Sequence, residues 1–585
     1  MSAHYGSDVV VDLLQGLGLR YASLNPGSSF RGLHDSIVNH GGGSPEIVLC
    51  PHEKVAVGLA HGYAKASGEP MVAILHDLVG LLHGAMGIYY AYIDRAPLLV
   101  LGGAGPMDLT RRRPNTDWIH TANIQGNAVR DYTKWDDQPA SVASLPESIV
   151  RAARVATAEP CGPVYVALDA ALQEDEAPAG LALPDLERLR TPTRVGPDPA
   201  ALRRLADLLV AAERPVMIPG YAGRDPHAFE QLTELAELLA IGVIDTGVRL
   251  NFPNRHPQNV TGSDALEEAD LVLFVDVKDM GKPTQRLDST TRGVRSRIPQ
   301  GAMVVDLGFN ELGISAWSHD FTQLHEVDLQ VTTDTAVALP ELLELCRRLV
   351  ADEDRGGEAA RARADARGRR REQLGRIHTE VWEGWRREAA AAADLSPVST
   401  AWLAQEVWEV IRDHDWVLTA GTASEWALRT WDFDRPYRHP GRSLGTATQI
   451  GISLGVALAH RDAGRLVVDL QPDGDLMFDL GALWVASYHR IPMLVVMFNN
   501  RAYYNDWEHQ ERIARQRGRP LDNAWVGMEI DRPAPDFAAV ARSLGWHGEG
   551  PVQKPRQVAA AVRRAVEVVR SERRPALVDV VCQRR

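Results

Sequence analysis

The chain has 585 residues, of which 45% are hydrophobic and 24% charged, a composition typical of a globular protein with several domains. Its 77 acidic and 63 basic side chains give a net charge of −14, which excludes the basic surface expected of a nucleic-acid-binding protein. The four cysteines are far apart, the N-terminus lacks a secretory pattern, and no apolar run approaches the roughly 20 residues that span a bilayer. We therefore expect a soluble, cytoplasmic protein without a membrane partner.

Strand-like and helix-like segments alternate in the first part of the chain. Apolar runs typical of buried strands lie at 46–49, 71–75, 97–101 and 163–168. Between the first two runs, the segment from Glu53 to Ser67 repeats Ala and Val at helical spacing. Strands that alternate with helices indicate a parallel sheet covered on both faces. We therefore predict an N-terminal α/β domain over residues 1–185.

Three further segments follow this domain. Five prolines between residues 175 and 199 indicate a linker. A middle α/β domain is predicted over residues 198–350, and residues 351–394, rich in Arg, Ala and Glu, predict an exposed linking helix. A third α/β unit over 395–585 completes a predicted fold of three doubly wound parallel-sheet domains.

The third unit contains the most informative pattern of the chain. Asp473-Gly474-Asp475 follows one apolar run, and Asn500 follows the next. Because the carboxyl ends of neighbouring parallel strands meet at one edge of a sheet, a carboxylate and an amide oxygen should lie together there. Mg²⁺ prefers such oxygen ligands, and it commonly accompanies a diphosphate. Gly474 would let the backbone approach the phosphates, and Asp475 would cap the following helix.

This pattern carries a family resemblance. It resembles the thiamine diphosphate motif Gly-Asp-Gly followed at a distance by Asn-Asn, with Pro472 in place of the first glycine. Either half alone is an ordinary turn or strand end, but both halves after buried strands favour the cofactor motif. The resemblance implies thiamine diphosphate and Mg²⁺ as cofactors. It also implies Asp473, Asn500 and the backbone carbonyl of Ala502 as metal ligands.

The same family requires a glutamate from the other end of the chain. Glu53 follows a strand-like run, opens the Ala-rich helix and is followed by Gly62-Tyr63-Ala64, as in the family pattern. The resemblance implies that Glu53 binds the aminopyrimidine of the cofactor and assists loss of its C2 proton. It further implies that Glu53 meets Asp473 across two subunits, in a homodimer or homotetramer. The alternative for Glu53 is an ordinary glutamate at a helix N-terminus.

Two segments of the first unit resemble the branch that contains benzoylformate decarboxylase, acetolactate synthase and pyruvate oxidase. The loop 25–28 resembles the decarboxylase loop whose serine contacts the substrate carboxylate, which implies that role for Ser28. His76 ends a strand, where active-site loops begin, and the resemblance implies that it relays protons. His83 is a second candidate on the following helix. Pro-Gly turns and structural histidines are common, so the ordinary alternatives stay open.

The resemblance also places cofactor contacts in the third unit. Thr422 and Ser424 lie in a stretch similar to the family's loop near the diphosphate. Gly445 lies in the run that takes the place of the loop holding the pyrimidine. The residue that keeps the cofactor bent stays unassigned among four candidates: Thr446, Ala447, Thr448 and Ile450.

The middle unit departs from the flavin-binding relatives. Those relatives carry Arg-Phe-Asp-Asp-Arg after one strand and Asp-x-Asp-Pro after another. Here the corresponding places read Val-Asp-Val-Lys-Asp at 275–279 and Val-Asp-Leu-Gly-Phe at 305–309. Neither run matches, so FAD is doubtful and oxidase activity loses support.

The resemblance implies an enzyme that decarboxylates a 2-oxo acid. The product would leave as an aldehyde or join a second carbonyl compound, as in an acetolactate synthase. Two alternatives stay open: hydrolytic carbon–carbon cleavage of a diketone, and a non-catalytic paralogue that binds the cofactor. Glu53 disfavours the paralogue, because binding alone does not require a proton-relaying acid.

Overall fold

The computed structural model describes residues 4–288, 291–313, 324–354, 357–421, 423–443 and 445–584. Three parallel sheets, one in each predicted α/β unit, dominate the fold and confirm the predicted fold class. Their central strands are apolar on both faces and buried, because helices cover each sheet from both sides.

The first sheet has six parallel strands in the order β2-β1-β3-β4-β6-β5. Its strands are β1 (Tyr21–Leu24), β2 (Glu46–Leu49), β3 (Met71–Leu75), β4 (Leu98–Ala104), β5 (Asp136–Asp137) and β6 (Val164–Asp169). Its helices are α1 (Gly6–Gly16), α2 (Arg31–Asp35), α3 (Glu53–Ser67), α4 (Asp77–Ile93), α5 (Asp117–His120), α6 (Leu145–Thr157) and α7 (Ala170–Glu174).

The middle sheet has five parallel strands in the order β13-β12-β9-β7-β8, and β10 and β11 form a separate antiparallel pair. The strands are β7 (Pro215–Pro219), β8 (Gly242–Val243), β9 (Leu271–Val275), β10 (Gln285–Leu287), β11 (Val294–Ser296), β12 (Met303–Gly308) and β13 (Leu329–Thr332). The helices are α8 (Pro199–Ala211), α9 (Pro226–Leu239), α10 (Gly281–Thr284) and α11 (Thr335–Asp354).

A long helix, α12 (Gly357–Ala391), leads from the middle sheet to the third. It holds its place partly through Arg370, which donates hydrogen bonds to the backbone carbonyls of Ala240 and Ala212 at 2.9 and 3.1 Å. Among the helices of the described ranges, none combines the length and the apolar character needed to cross a bilayer.

The third sheet has five parallel strands in the order β14-β15-β16-β18-β17. Its strands are β14 (Trp416–Ala420), β15 (Leu466–Pro472), β16 (Leu494–Asn499), β17 (His547–Val552) and β18 (Ala576–Val581). Its helices are α13 (Thr400–Ile411), α14 (Ser424–Thr430), α15 (Gln449–His460), α16 (Asp473–Leu476), α17 (Ala482–Tyr488), α18 (Tyr504–Gln516), α19 (Phe537–Ser543) and α20 (Val558–Glu567).

Helices α3 and α15 join the first unit to the third by unusually close packing. A Cβ added at Gly62 would lie 1.9 Å from the backbone oxygen of Ile452, and one added at Gly455 would lie 2.0 Å from the oxygen of Leu59. The helices can approach this closely only because both positions are glycine. Since α3 begins at Glu53 and α15 begins beside the 445–448 loop, this contact brings two predicted parts of the site to one junction.

Candidate active site

The third sheet brings Asp473 and Asn500 to the same edge, as the strand pattern predicts. Strands β15 and β16 are neighbours, and their register pairs Pro472 with Phe498. Pro472 ends β15 with a φ of −67°, which is the natural value for proline, so the departure from the family motif causes no strain there. Asp473 follows immediately and is 2% exposed.

Asp473 has the properties of a cation ligand. Its Oδ2 atom is buried and has no hydrogen-bond partner within the described part of the chain. Burial raises the pKa of this carboxyl to about 7, while backbone N–H groups of Gly474, Arg501 and Ala502 act in the opposite direction. A buried carboxylate oxygen is costly without a donor or a cation, so this position fits a metal ion.

The two adjacent asparagines have different partners. Asn499 donates from Nδ2 to Asp579 Oδ1 at 2.9 Å, inside the core beside β18. Asn500 is buried at the sheet edge, and its Oδ1 accepts a hydrogen bond from the backbone N–H of Ala502 at 3.0 Å. An amide oxygen and the Asp473 carboxylate thus share this edge with the predicted carbonyl ligand, Ala502. This oxygen-rich set suits Mg²⁺.

Gly474 lies against an aromatic wall. A Cβ at this position would lie 2.8 Å from the ring of Tyr503, closer than real side-chain contacts. The absence of a side chain therefore lets the Tyr503 ring pack directly against this backbone, and Gly474 is buried. The predicted approach of a diphosphate to Gly474 stays a prediction.

Asp475 does not cap the helix that follows it. It lies inside the short helix α16, and its carboxylate accepts hydrogen bonds from the backbone N–H groups of Ala447 at 2.5 Å and Gln449 at 3.3 Å. Asp475 therefore ties the turn after β15 to the start of α15. The expectation failed because the carboxylate bonds instead to the loop residue Ala447 and to the first residue of α15, both distant in sequence.

The loop before α15 has a strained backbone. Gly445, Thr446 and Ala447 have φ values of +75°, +53° and +65°. Such values are unfavourable for a β-branched residue such as Thr446, which is exposed. Strain of this kind often marks a ligand-contacting loop. Three of the four candidates for holding the cofactor bent are buried: Ala447, Thr448 and Ile450.

The other predicted contacts of the third unit are less informative. Ser424 is buried, and its hydroxyl donates to the carbonyl of Gly421 at 2.7 Å, so it closes the turn that begins α14. Thr422 lies outside the described residues.

Glu53 lies at the start of α3, in a cluster with two histidines. Its side chain is buried, and Oε2 lies 3.2 Å from Nδ1 of His83. The rings of His52 and His83 stack with centroids 4.9 Å apart. His83 is the candidate that the sequence placed on α4, and the structure places it directly against the glutamate. Next to Glu53, Lys54 forms an ion pair of 2.9 Å with Asp479 of the third unit.

The loop after β1 meets the end of β3, as the resemblance implies, but through a different serine. His76 Nδ1 lies 2.9 Å from Oγ of Ser29. Gly27 packs against the same imidazole, and a Cβ there would lie 2.4 Å from His76 Cβ. Ser28 is exposed and lines an open surface cavity of about 550 Å³ with Arg31. The structure therefore joins His76 to Ser29, and the predicted substrate contact of Ser28 stays a prediction.

Two further groups beside His76 were not singled out from the sequence. Burial raises the pKa of Asp77 to about 6, and its backbone has a φ of +47°. The ring of His120 lies 5.3 Å from that of His76. Asp77 could have been predicted as a site residue, because it directly follows a strand. His120 could not, because it is far away in sequence and no pattern links it to His76.

Family models of three consecutive domains match the chain. They describe the N-terminal TPP binding domain of thiamine pyrophosphate enzymes at residues 4–126, the central domain at 202–287 and the C-terminal TPP binding domain at 419–580. The chain belongs to the thiamine pyrophosphate enzyme family. The two TPP binding domains contain Glu53 and Asp473, respectively, so the family match covers both halves of the candidate site.

Relatives extend the match over nearly the whole chain. The probable acetolactate synthase 2 (chloroplastic) of Oryza sativa subsp. japonica is 26% identical over 606 residues, covering 99% of this chain and 83% of the relative. Acetolactate synthase isozyme 3 large subunit of Escherichia coli (strain K12) is 24% identical over 579 residues, covering 97% and 93%. In fold, the chain is similar to the thiamine diphosphate-dependent 4-hydroxybenzoylformate decarboxylase of Rhodococcus jostii RHA1, with a TM-score of 0.76, 20% identity and 99% coverage of both chains.

Within this thiamine pyrophosphate enzyme, the carboxyl edge of the middle sheet holds a buried ionic cluster. Arg224 pairs with Asp276, with Glu159 at 2.8 Å and with Asp334 at 2.7 Å. Arg95 of the first unit also pairs with Asp276, at 2.7 Å. Ligands of doubly wound sheets bind at this edge, and Arg95, Glu159 and Arg224 line a cavity of about 870 Å³ there. The doubt about FAD therefore rests on the sequence and stays a prediction.

Proposed function

We propose that this thiamine pyrophosphate enzyme uses Mg²⁺ and decarboxylates a 2-oxo acid, releasing an aldehyde or joining the product to a second carbonyl compound. The observation that carries the proposal is the buried, unpartnered Oδ2 of Asp473 beside Asn500, within the described residues, at the carboxyl edge of the third sheet. A cation at that position would stabilise the ionised carboxylate, and the diphosphate of the family's cofactor would accompany it.

Each part of the third unit would hold one part of the cofactor. Asp473, Asn500 and the carbonyl of Ala502 would hold Mg²⁺, and the backbone at Gly474 would face the diphosphate. The strained 445–447 loop would contact the pyrimidine, held in place by Asp475. When bound, the cofactor supplies an electron sink for the carbon–carbon bond that breaks.

Residues of the first unit would manage protons. Glu53 would hold a proton at the pyrimidine, where its buried position protects the exchange from solvent. Burial lowers the pKa of His76, so its imidazole is neutral near pH 7 and can accept or give a proton beside the substrate. Ser29 would orient that ring through its 2.9 Å contact.

The assembly is proposed to be a homodimer or homotetramer in the cytoplasm. Exposed apolar side chains border both halves of the site: Leu82 precedes His83, and Phe478 and Tyr503 flank the turn at Gly474. Apolar surface of this kind commonly marks a protein–protein contact. A partner subunit would cover it and enclose the site.

The test is product analysis by mass spectrometry with a panel of 2-oxo acids, with and without acceptor aldehydes, in the presence of Mg²⁺ and thiamine diphosphate. We expect Glu53→Gln to lower turnover by about 10²–10⁴-fold, the usual contribution of a proton-transferring group. Glu46→Gln, on the exposed start of β2, is the matched control and should leave turnover unchanged. Chelation with EDTA should abolish activity, and added Mg²⁺ should restore it.

The outcomes separate the alternatives. Unchanged turnover in Glu53→Gln would refute the role of Glu53. A wild-type protein that binds the cofactor but converts no 2-oxo acid would favour the non-catalytic paralogue, unless it cleaves a diketone, which would favour the hydrolase.

A further inference from the structure

A cavity lies away from the candidate active site, where the middle unit, α12 and the third unit meet. It has a volume of about 210 Å³. Its lining includes two arginines of particular interest, Arg249 and Arg442, and apolar groups from three elements: Leu250, Leu428 and Trp385. None of the predicted cofactor or metal contacts belongs to this lining.

Among the described residues, the guanidinium of Arg442 has no hydrogen-bond or ion-pair partner. It is partly buried, and its side chain donates no hydrogen bond to any residue in the described ranges, although a guanidinium carries five N–H donors. Its Nε atom is fully buried. Among the described residues, Arg442 forms no ion pair, although the nearby carboxylates of Glu425 and Asp245 favour its charged form.

Arg249 is similar and more deeply buried. It is 7% exposed. Its side chain donates one hydrogen bond, from Nη1 to the backbone carbonyl of Lys65 at 2.8 Å. Its Nε atom is buried without an acceptor, again considering only residues that the structure describes. Burial lowers the pKa of both Arg249 and Arg442, which reflects the cost of holding two cations in this place.

The two acidic groups of the lining are engaged elsewhere. Asp245 accepts hydrogen bonds from the backbone N–H groups of Gly247 and Asn251, each at 3.0 Å, and of Phe252 at 3.2 Å. Glu425 pairs at 2.5 Å with Arg429, a third arginine of the lining, one turn later in α14. Within the described structure, neither the Arg249 nor the Arg442 guanidinium therefore has a carboxylate bonded directly to it.

We propose that this cavity binds a small aliphatic carboxylate. The carboxylate would accept hydrogen bonds from Arg249 and Arg442, since planar guanidinium groups match carboxylate geometry. The aliphatic part would lie against Leu250, Leu428 and Trp385. The volume is below the roughly 300–1,000 Å³ of drug-sized ligand sites, so only a small molecule fits.

The site is connected to the loop predicted to hold the cofactor. Arg442 stands three residues before Gly445 in sequence. The intervening Ser443 donates from Oγ to Gln449 Oε1 at 3.2 Å, and the same oxygen accepts the backbone N–H of Gly421 at 2.9 Å. A carboxylate that fixes Arg442 would therefore also restrain the start of α15.

The test measures thermal unfolding and calorimetric binding with isovalerate, in a buffer without phosphate or other carboxylates. Isovaleramide, the neutral analogue of the same shape, is the ligand control. Arg442→Gln removes the charge, and Arg435→Gln, which changes an exposed arginine of the same unit, is the protein control. Leu428→Phe, which fills the cavity and keeps both arginines, covers the case in which Arg442→Gln fails to fold.

We expect isovalerate, and not isovaleramide, to raise the unfolding temperature of the wild type and of Arg435→Gln. Arg442→Gln should weaken binding about tenfold or more, as expected for loss of a charged hydrogen bond, and Leu428→Phe should abolish it. Without ligand, Arg442→Gln should be at least as stable as the wild type, because it removes a buried cation that has no ion-pair partner.

Absence of binding, or equal binding to the wild type and to Arg442→Gln, would refute the proposed site. Stronger binding of inorganic phosphate than of isovalerate would refute the assignment of a carboxylate as the ligand.

Discussion

A single buried carboxyl of the third sheet shows how the fold treats charge near the candidate site. Asp469, in the middle of β15, is completely buried, and its Oδ1 accepts a hydrogen bond from Gln449 Nε2 at 2.6 Å. Its Oδ2 has no donor within the described ranges. Burial raises the pKa of Asp469 from 3.8 to about 7. The protein therefore favours the neutral acid at this position.

This shift predicts how stability depends on pH. Because the folded-state pKa is raised, the contribution of Asp469 is fully present below pH 3.8 and is lost as the pH rises through about 7. We expect Asp469→Asn to be more stable than the wild type above pH 7, by up to about 4 kcal/mol, and to lose that advantage towards pH 4. Urea unfolding at several pH values measures the difference.

A surface substitution provides the control for this prediction. Asp413→Asn changes an exposed carboxylate of the same unit and should leave the pH profile unchanged. A stability difference between Asp469→Asn and the wild type that is the same at pH 5 and pH 8 would contradict the prediction.

Single residues also show what the sequence could and could not predict. Asp473 and Asn500 were predictable, because any residue directly after a parallel strand lies at the same edge of the sheet. The partner of His76 was not, because Ser28 and Ser29 are adjacent and their side chains point in different directions. The partner of Asp475 could not be predicted either, because it depends on how α15 packs against the third sheet.

At the scale of elements, the contact between α3 and α15 depends on individual glycines. Gly62 touches the backbone of Ile452, whereas a Cβ at Gly58, one turn earlier in α3, would make only ordinary contacts with Gly451, the nearest at 3.4 Å. A pattern of glycines four residues apart in a helix fits either a weak helix or a close backbone contact. The sequence alone could not distinguish these two explanations, because the contact is with Ile452, almost 400 positions away.

These two glycines form a matched pair for a mutational test. Gly62→Ala should destabilise the protein by about 1–3 kcal/mol, as expected when a side chain is forced into a packed contact. Gly58→Ala should be neutral or stabilise by up to about 1 kcal/mol, because alanine favours the helix and meets no close atom. The unfolding midpoint of each variant provides the measurement. Equal effects of the two substitutions would show that helix propensity, and not packing, governs this contact.

At the scale of the whole molecule, the arrangement of Glu53 and Asp473 decides how many chains make one active site. Within one chain, the Lys54–Asp479 ion pair already brings the start of α3 against the third unit. The exposed Leu82 and Phe478 beside the two halves of the site favour completion by a second chain. The family resemblance implies the same, because it places the glutamate and the metal ligand on different subunits.

Mixing two inactive variants distinguishes these arrangements. If each site takes Glu53 from one subunit and Asp473 from the other, a hybrid of Glu53→Gln and Asp473→Ala subunits contains one intact site. Random exchange makes half of the dimers hybrid, so the mixture should recover about a quarter of wild-type activity. Light scattering on the same samples should show dimers or tetramers. A mixture no more active than its parents, with subunit exchange confirmed by mass spectrometry, would place Glu53 and Asp473 in one chain and make the Lys54–Asp479 contact part of each site.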